Sequence, residues 1–223
     1  MLYASDFTTA SNLVKNTSLA PYQATWSEEE AAHLLRRSSF GISHSELKIL
    51  AAFNSASEAV DFIMQQALSA PEPVIPDWYT QSPQPNPANH ITDMYSIQTN
   101  WMDAMVQGGL LERMKLCWSN HFAVAYFNEN GDLPDRRKAF NRFAHVMFDY
   151  FLRLHSLALG SFKDMVKSIS ESAAMLYYLD NHLNRDDNPN ENFARELLEL
   201  FTLGEFDQVG SVVNEISDDN ANV

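Results

Sequence analysis

Residues 26–46 read WSEEEAAHLLRRSSFGISHSE, and this stretch twice places a serine three residues ahead of an acid, at Ser27/Glu30 and Ser43/Glu46. A serine there accepts a hydrogen bond from one of the unpaired N–H groups that open a helix, while the acid faces the positive helix end. The pattern recurs at Ser55/Glu58, Ser161/Asp164 and Asn188/Glu191, the last strengthened by Pro189 at what reads as the first helical position. Repeated starts of this kind, with only seven glycines and few alternating Val/Ile/Thr runs, predict an all-α fold.

The apolar spacing predicts helices near 27–39, 43–53, 56–69, 92–107, 109–125, 134–157, 161–178 and 189–203. This is an irregular multi-helix domain of about eight helices. Gly108-Gly109 should split or kink the longest helical stretch. Six prolines between 71 and 87 prevent residues 70–90 from being helical throughout and make them an extended connector. The resulting organisation is an N-terminal extension (1–25), a small helical subdomain (26–70), a Pro-rich connector (71–90), a main helical domain (91–204) and an acidic tail (205–223). Gly204 reads as a helix C-cap, and the tail, with five acids and no basic residue, is expected to be frayed or disordered.

Of 223 residues 45% are hydrophobic and 12% aromatic, enough apolar side chain to offset the ordering entropy of a globular fold. Cys117 is the only cysteine, which excludes an intramolecular disulfide and any multi-cysteine metal site. There is no run long and apolar enough for a transmembrane segment, and the first residues lack a signal-peptide pattern; the compartment stays open. Charge is unevenly distributed, because residues 49–112 carry no Lys or Arg while 113–167 carry nine of the fifteen. Arg136, Arg137, Lys138 and Arg142 interleave with Phe140 and Phe143, a composition that suits a nucleic-acid groove. The net charge of −14 opposes that use, so the cluster reads as the solvated face of a helix and no nucleic-acid partner is expected.

Three stretches together resemble the bacterial family catalogued as domain of unknown function 1800. They are AAHLLRRSSFG (31–41), ERMKLCWSNHF (112–122), and a block running from LRLHSLALGSF (152–162) through AMLYYLDNHLN to PNENFARELLELFTLG (189–204). Members of that family are typically large bacterial proteins, many of them exported, often encoded beside a second, sulfatase-like family. The resemblance therefore implies a part in a bacterial envelope system, without implying a reaction. The chain departs from the family where Trp-His-Asn-His-Phe becomes Trp118-Ser119-Asn120-His121-Phe122. Family members also continue past the FTLG motif, so the chain is expected to be a truncated or frameshifted N-terminal portion.

Several residue groups carry candidate chemistry. Glu30 and His33 have the Glu-x-x-His spacing of carboxylate-bridged metal bundles, but there is no second copy and Glu30 already serves as a capping acid. His121 shares a helical stripe with Met114, Cys117 and Trp118, which fits either a hydrogen-bonded core histidine or a base. The loop DNHLNRDDNPNE, Asp180 to Glu191, puts polar side chains at positions 1, 3, 5, 7 and 9 and a glutamate at 12, the spacing of a helix-loop-helix calcium site. His182 at position 3, Arg185 at position 6 where glycine is needed, and Pro189 within the loop all depart from it. An interhelical turn would use the same Asn and Asp residues. On the last helix Glu191, Arg195 and Glu199 form either a surface ladder or, with Glu196, a polar lining beside that loop.

Two function classes follow. The first is a non-catalytic helical binding or assembly module that associates with itself or a protein partner through uncovered apolar surface on the Leu/Phe-rich last helix. The second is a fragment of a metal-assisted hydrolase or lyase. In it Asp180, Asn184 and Glu191, or Glu196 in its place, hold a divalent cation such as calcium or magnesium, His121 acts as base, and Arg195 holds an anionic substrate.

Overall fold

The computed structural model describes residues 21–80, 90–124, 140–187 and 189–204. Ten α-helices occupy them: α1 (Glu28–Ser38), α2 (His44–Ala51), α3 (Ala56–Leu68), α4 (Asp77–Thr80), α5 (His90–Gln107), α6 (Leu110–His121), α7 (Phe140–Leu157), α8 (Phe162–Ser170), α9 (Ala173–Tyr178) and α10 (Glu191–Glu199). No strand occurs among the described residues, so the chain is all-α.

Four of the serine caps form as the sequence reads. Ser43, Ser55 and Ser161 accept from the N–H of Glu46, Glu58 and Asp164 at 3.1, 3.3 and 3.4 Å. Ser27 accepts from Glu29 at 3.2 Å and its hydroxyl donates to the Glu30 carboxylate. The Asn188 cap lies outside the described residues. There the observed helix begins later, at Glu191, with Asn190 accepting the Phe193 N–H at 3.3 Å and Pro189 ahead of the cap. The helix predicted at 161–178 is two helices. Ser172 is fully buried, donates to the Ile169 carbonyl at 2.6 Å and accepts the Met175 N–H at 3.3 Å, ending α8 and starting α9. Gly204 sits beyond the helix rather than directly at its end. α10 stops at Glu199, and Leu203 and Gly204 fold their N–H groups back onto the Leu198 carbonyl, with Gly204 at φ 79°.

The Pro-rich stretch includes the single turn α4, whose Trp78 and Tyr79 pack on His145 and Phe148 of α7. Ala31, Leu35, Leu50, Ala59 and Ile63 form one core within α1–α3. Phe122, Tyr150, Leu154, Met165, Ile169, Met175 and Phe201 belong to a larger core around α7. Ala67, Leu111 and Ala158 join α3, α6 and the turn after α7 between them. Polar side chains pin the larger core at its edges. The Tyr150 hydroxyl donates to the Phe122 carbonyl at 2.8 Å, and burial pushes its phenol pKa up. The Trp118 indole donates to the Ala158 carbonyl at 2.8 Å, and Arg153 reaches both Asp149 and the Ser168 carbonyl.

Candidate functional site

The loop after α9 is organised by asparagine side chains. Asp180 is exposed and takes φ 55°, in the left-handed region that Asp and Asn enter more readily than other non-glycine residues. Beyond a single 3₁₀ turn, Asn184 donates to the Asn181 side chain at 3.2 Å, and its own oxygen accepts the Asn190 N–H at 2.9 Å. Asn190 donates in turn to the Leu179 carbonyl at 2.9 Å and caps α10. Glu191 is exposed at the start of α10 and Glu196 is half-buried on it, while Arg195 donates to Asn192 at 2.8 Å. Asn184 is therefore tied into the turn that joins α9 to α10. Among the described residues no three or more His, Cys, Asp or Glu side chains gather to hold a metal.

His121 stands at the end of α6, some distance along the chain from that loop, with an exposed ring whose Nε2 lies 2.9 Å from the Phe201 carbonyl oxygen. A carbonyl can only accept, so Nε2 is the donor in this contact. The ring also meets Phe122 edge-on at 4.6 Å between centroids. Cys117 is exposed, and Ser119 donates to the Leu116 carbonyl of its own helix at 2.9 Å. The cluster at 136–138 lies outside the described residues.

A third group was not singled out from the sequence. Glu112 and Lys115 form a 2.8 Å ion pair on α6 with side chains only 10% and 7% exposed, and the Trp101 indole N–H donates to the other Glu112 oxygen at 2.9 Å. The Lys115 ammonium lies 6.0 Å from the centre of the Trp101 ring. His155 of α7 completes the group. Its side chain is 9% exposed, Nε2 is 3.8 Å from the Glu72 carboxylate, and the buried Nδ1 has no hydrogen-bond partner. Burial, and then the positive charge of Lys115, hold the His155 pKa below its ordinary value against the weaker opposite pull of Glu72 and Glu112. Gly108 makes this packing possible, because a Cβ there would come within 2.5 Å of the Ala104 carbonyl and 2.6 Å of the Glu112 Cγ. The sequence did hold a signal: Leu111, Lys115, Trp118 and Phe122 share one α6 stripe, so a lysine stands at a core-facing position.

Glu30 and His33 line a groove between α1 and α3 together with Tyr22, Trp26, Glu29, Leu34, Arg37, Ala56 and Val60. The Ser27 hydroxyl holds the Glu30 carboxyl below its usual pKa, which fits its capping role. His33 is exposed on the same helix face.

These features define an all-α domain whose polar interior is concentrated at the α5–α6–α7 junction. The chain matches the family described as "Protein of unknown function (DUF1800)" over residues 33–215, most of its length, and it belongs to that family. No curated protein and no solved structure matches it.

Proposed function

We propose that the chain is a non-catalytic helical binding or assembly module, engaging a second apolar helical surface through the end of α10. The observation that carries this reading is the incomplete burial of that helix. Phe193 and Leu197 lean against the α7 core, yet α10 has no buried residue, and just past its end Leu200 and Leu203 are 58% and 61% exposed. Leucines left in water cost about 25 cal/mol for each Å² that a partner could cover, so the face favours association. The alternative reading, a metal-assisted enzyme, would place a cation on Asp180, Asn184 and Glu191, where the Asn184 side chain also bonds Asn181 and Asn190 in the turn.

Sedimentation of the chain over a range of concentrations tests the proposal. A mass that rises with concentration, and returns to that of the monomer in Leu200→Glu/Leu203→Glu, is the expected result. A strictly monomeric profile at every concentration, with no binding of a hydrophobic dye, overturns it.

A further inference from the structure

α1 and α3 face each other across a groove of about 580 Å³, within the size range of small-molecule sites. Val60 of α3 forms one wall, α1 the other, and Tyr22 and Trp26 close one end. The Trp26 indole anchors the aromatic end by donating to the Leu50 carbonyl at 2.9 Å, and the Tyr22 hydroxyl donates to the nearby Thr25 carbonyl at 3.1 Å. Tyr22 and Val60 nonetheless remain 50% and 42% exposed, so apolar surface faces an open groove.

The charges along the groove are ordered. Glu29 lies beside the aromatic end, and Arg37 lies at the far end of α1. Glu30 is engaged by Ser27, but the Glu29 carboxylate and the Arg37 guanidinium have no ion-pair or hydrogen-bond partner among the described residues. Eight residues separate them along the helix, a rise of about 12 Å. A single amino acid is too short to reach both charges, whereas an extended chain advancing about 3.3 Å per residue covers most of that distance in three residues.

We propose that this groove binds a short zwitterionic peptide of about three residues, its terminal ammonium among Tyr22, Trp26 and Glu29 and its terminal carboxylate on Arg37. The aromatic faces and the carboxylate both attract the ammonium. The planar guanidinium matches the carboxylate with two parallel N–H donors. An apolar middle side chain lies over Val60. The site is separate from α10 and does not depend on the assembly reading.

Calorimetric titration of the whole chain with Ala-Leu-Ala tests the proposal, alongside the N-acetylated and C-amidated forms of the same peptide. The free peptide should bind, and blocking either end should weaken it about tenfold. Arg37→Gln should erase the difference between acid and amide while preserving that between amine and acetyl; Glu29→Gln should do the reverse. Both are surface changes, and melting curves confirm that the variants fold. Val60→Trp, which fills the groove, should abolish binding of all three peptides. Absence of binding up to about 10 mM free peptide overturns the proposal. Equal binding of the blocked and free forms, or a preference for the free acid that survives Arg37→Gln, also overturns it.

Discussion

The ring nitrogen Nε2 of His121 donates to the carbonyl oxygen of Phe201, 2.9 Å away and eighty residues further along the chain. This bond joins the end of α6 to the turn that follows α10, and Phe201 is itself buried against Phe122 with ring centres 5.9 Å apart. Two parts of the larger core that lie far apart in the chain are thus joined by a histidine hydrogen bond as well as by ring packing. His121→Ala should lose the hydrogen bond and part of the ring packing, lowering unfolding free energy by about 1–3 kcal/mol in urea titrations. His121→Gln retains a donor and should recover part of that loss. An alanine variant as stable as the parent would show that the bond contributes nothing.

Glu112 and Lys115 pair inside the protein, so their removal should be asymmetric. Lys115→Met leaves a buried carboxylate without its ion-pair partner, keeping the Trp101 indole as a donor, and should cost about 3–5 kcal/mol. Glu112→Leu combined with Lys115→Met removes both charges and should be far milder than the single change. Thermal unfolding of the two variants side by side checks this; a double variant as damaged as Lys115→Met would rule out unpaired charge as the cause.

Stability should also depend on pH through His155. Its folded pKa lies below the ordinary value of 6.5, so the unfolded chain binds the extra proton first as pH falls. The stabilisation is fully present above about pH 6.5, declines as pH drops below it, and levels off beneath the depressed folded value. Urea midpoints measured from pH 7.5 down to pH 5 should fall, and His155→Gln should flatten that part of the curve. An unchanged slope in the variant would move the effect to another group.

How much of this was legible depended on range. The serine caps were readable because the cap and the N–H that donates to it lie within one helical turn, and Ser27, Ser43, Ser55 and Ser161 all cap their helices. Ser172 escaped because the residue three ahead is Met175, so the cap carries no acidic signature and the apolar stripe runs on through it. The start of α10 shifted because Asn190 bonds back to both Leu179 and Asn184, which no local pattern reveals. The Glu112–Lys115 pair was hidden for the same reason: charges three residues apart on a helix usually face water, and only the arrival of Trp101 and His155 from α5 and α7 buries them. The polar side chains of the loop from Asp180 stand out in the sequence, while the use to which Asn184 and Asn190 are put depends on the fold.

That loop supports a last prediction. Asp180 adopts φ 55°, a conformation in which a Cβ crowds the backbone, so the residue serves geometry as much as charge. Asp180→Gly should hold stability or raise it by up to about 1 kcal/mol, since glycine enters the left-handed region freely. Asp180→Val should lower stability, because a branched side chain is poorly tolerated there. A cation site makes the opposite demand: it requires the carboxylate and is indifferent to backbone relief. Asp180→Asn separates the two, keeping tolerance of the left-handed geometry while removing the charge. With chelator-treated protein the turn reading expects no heat from calcium or magnesium and equal melting temperatures for Asp180→Asn and the parent. Heat from either ion that disappears in Asp180→Asn would instead give the loop to a metal.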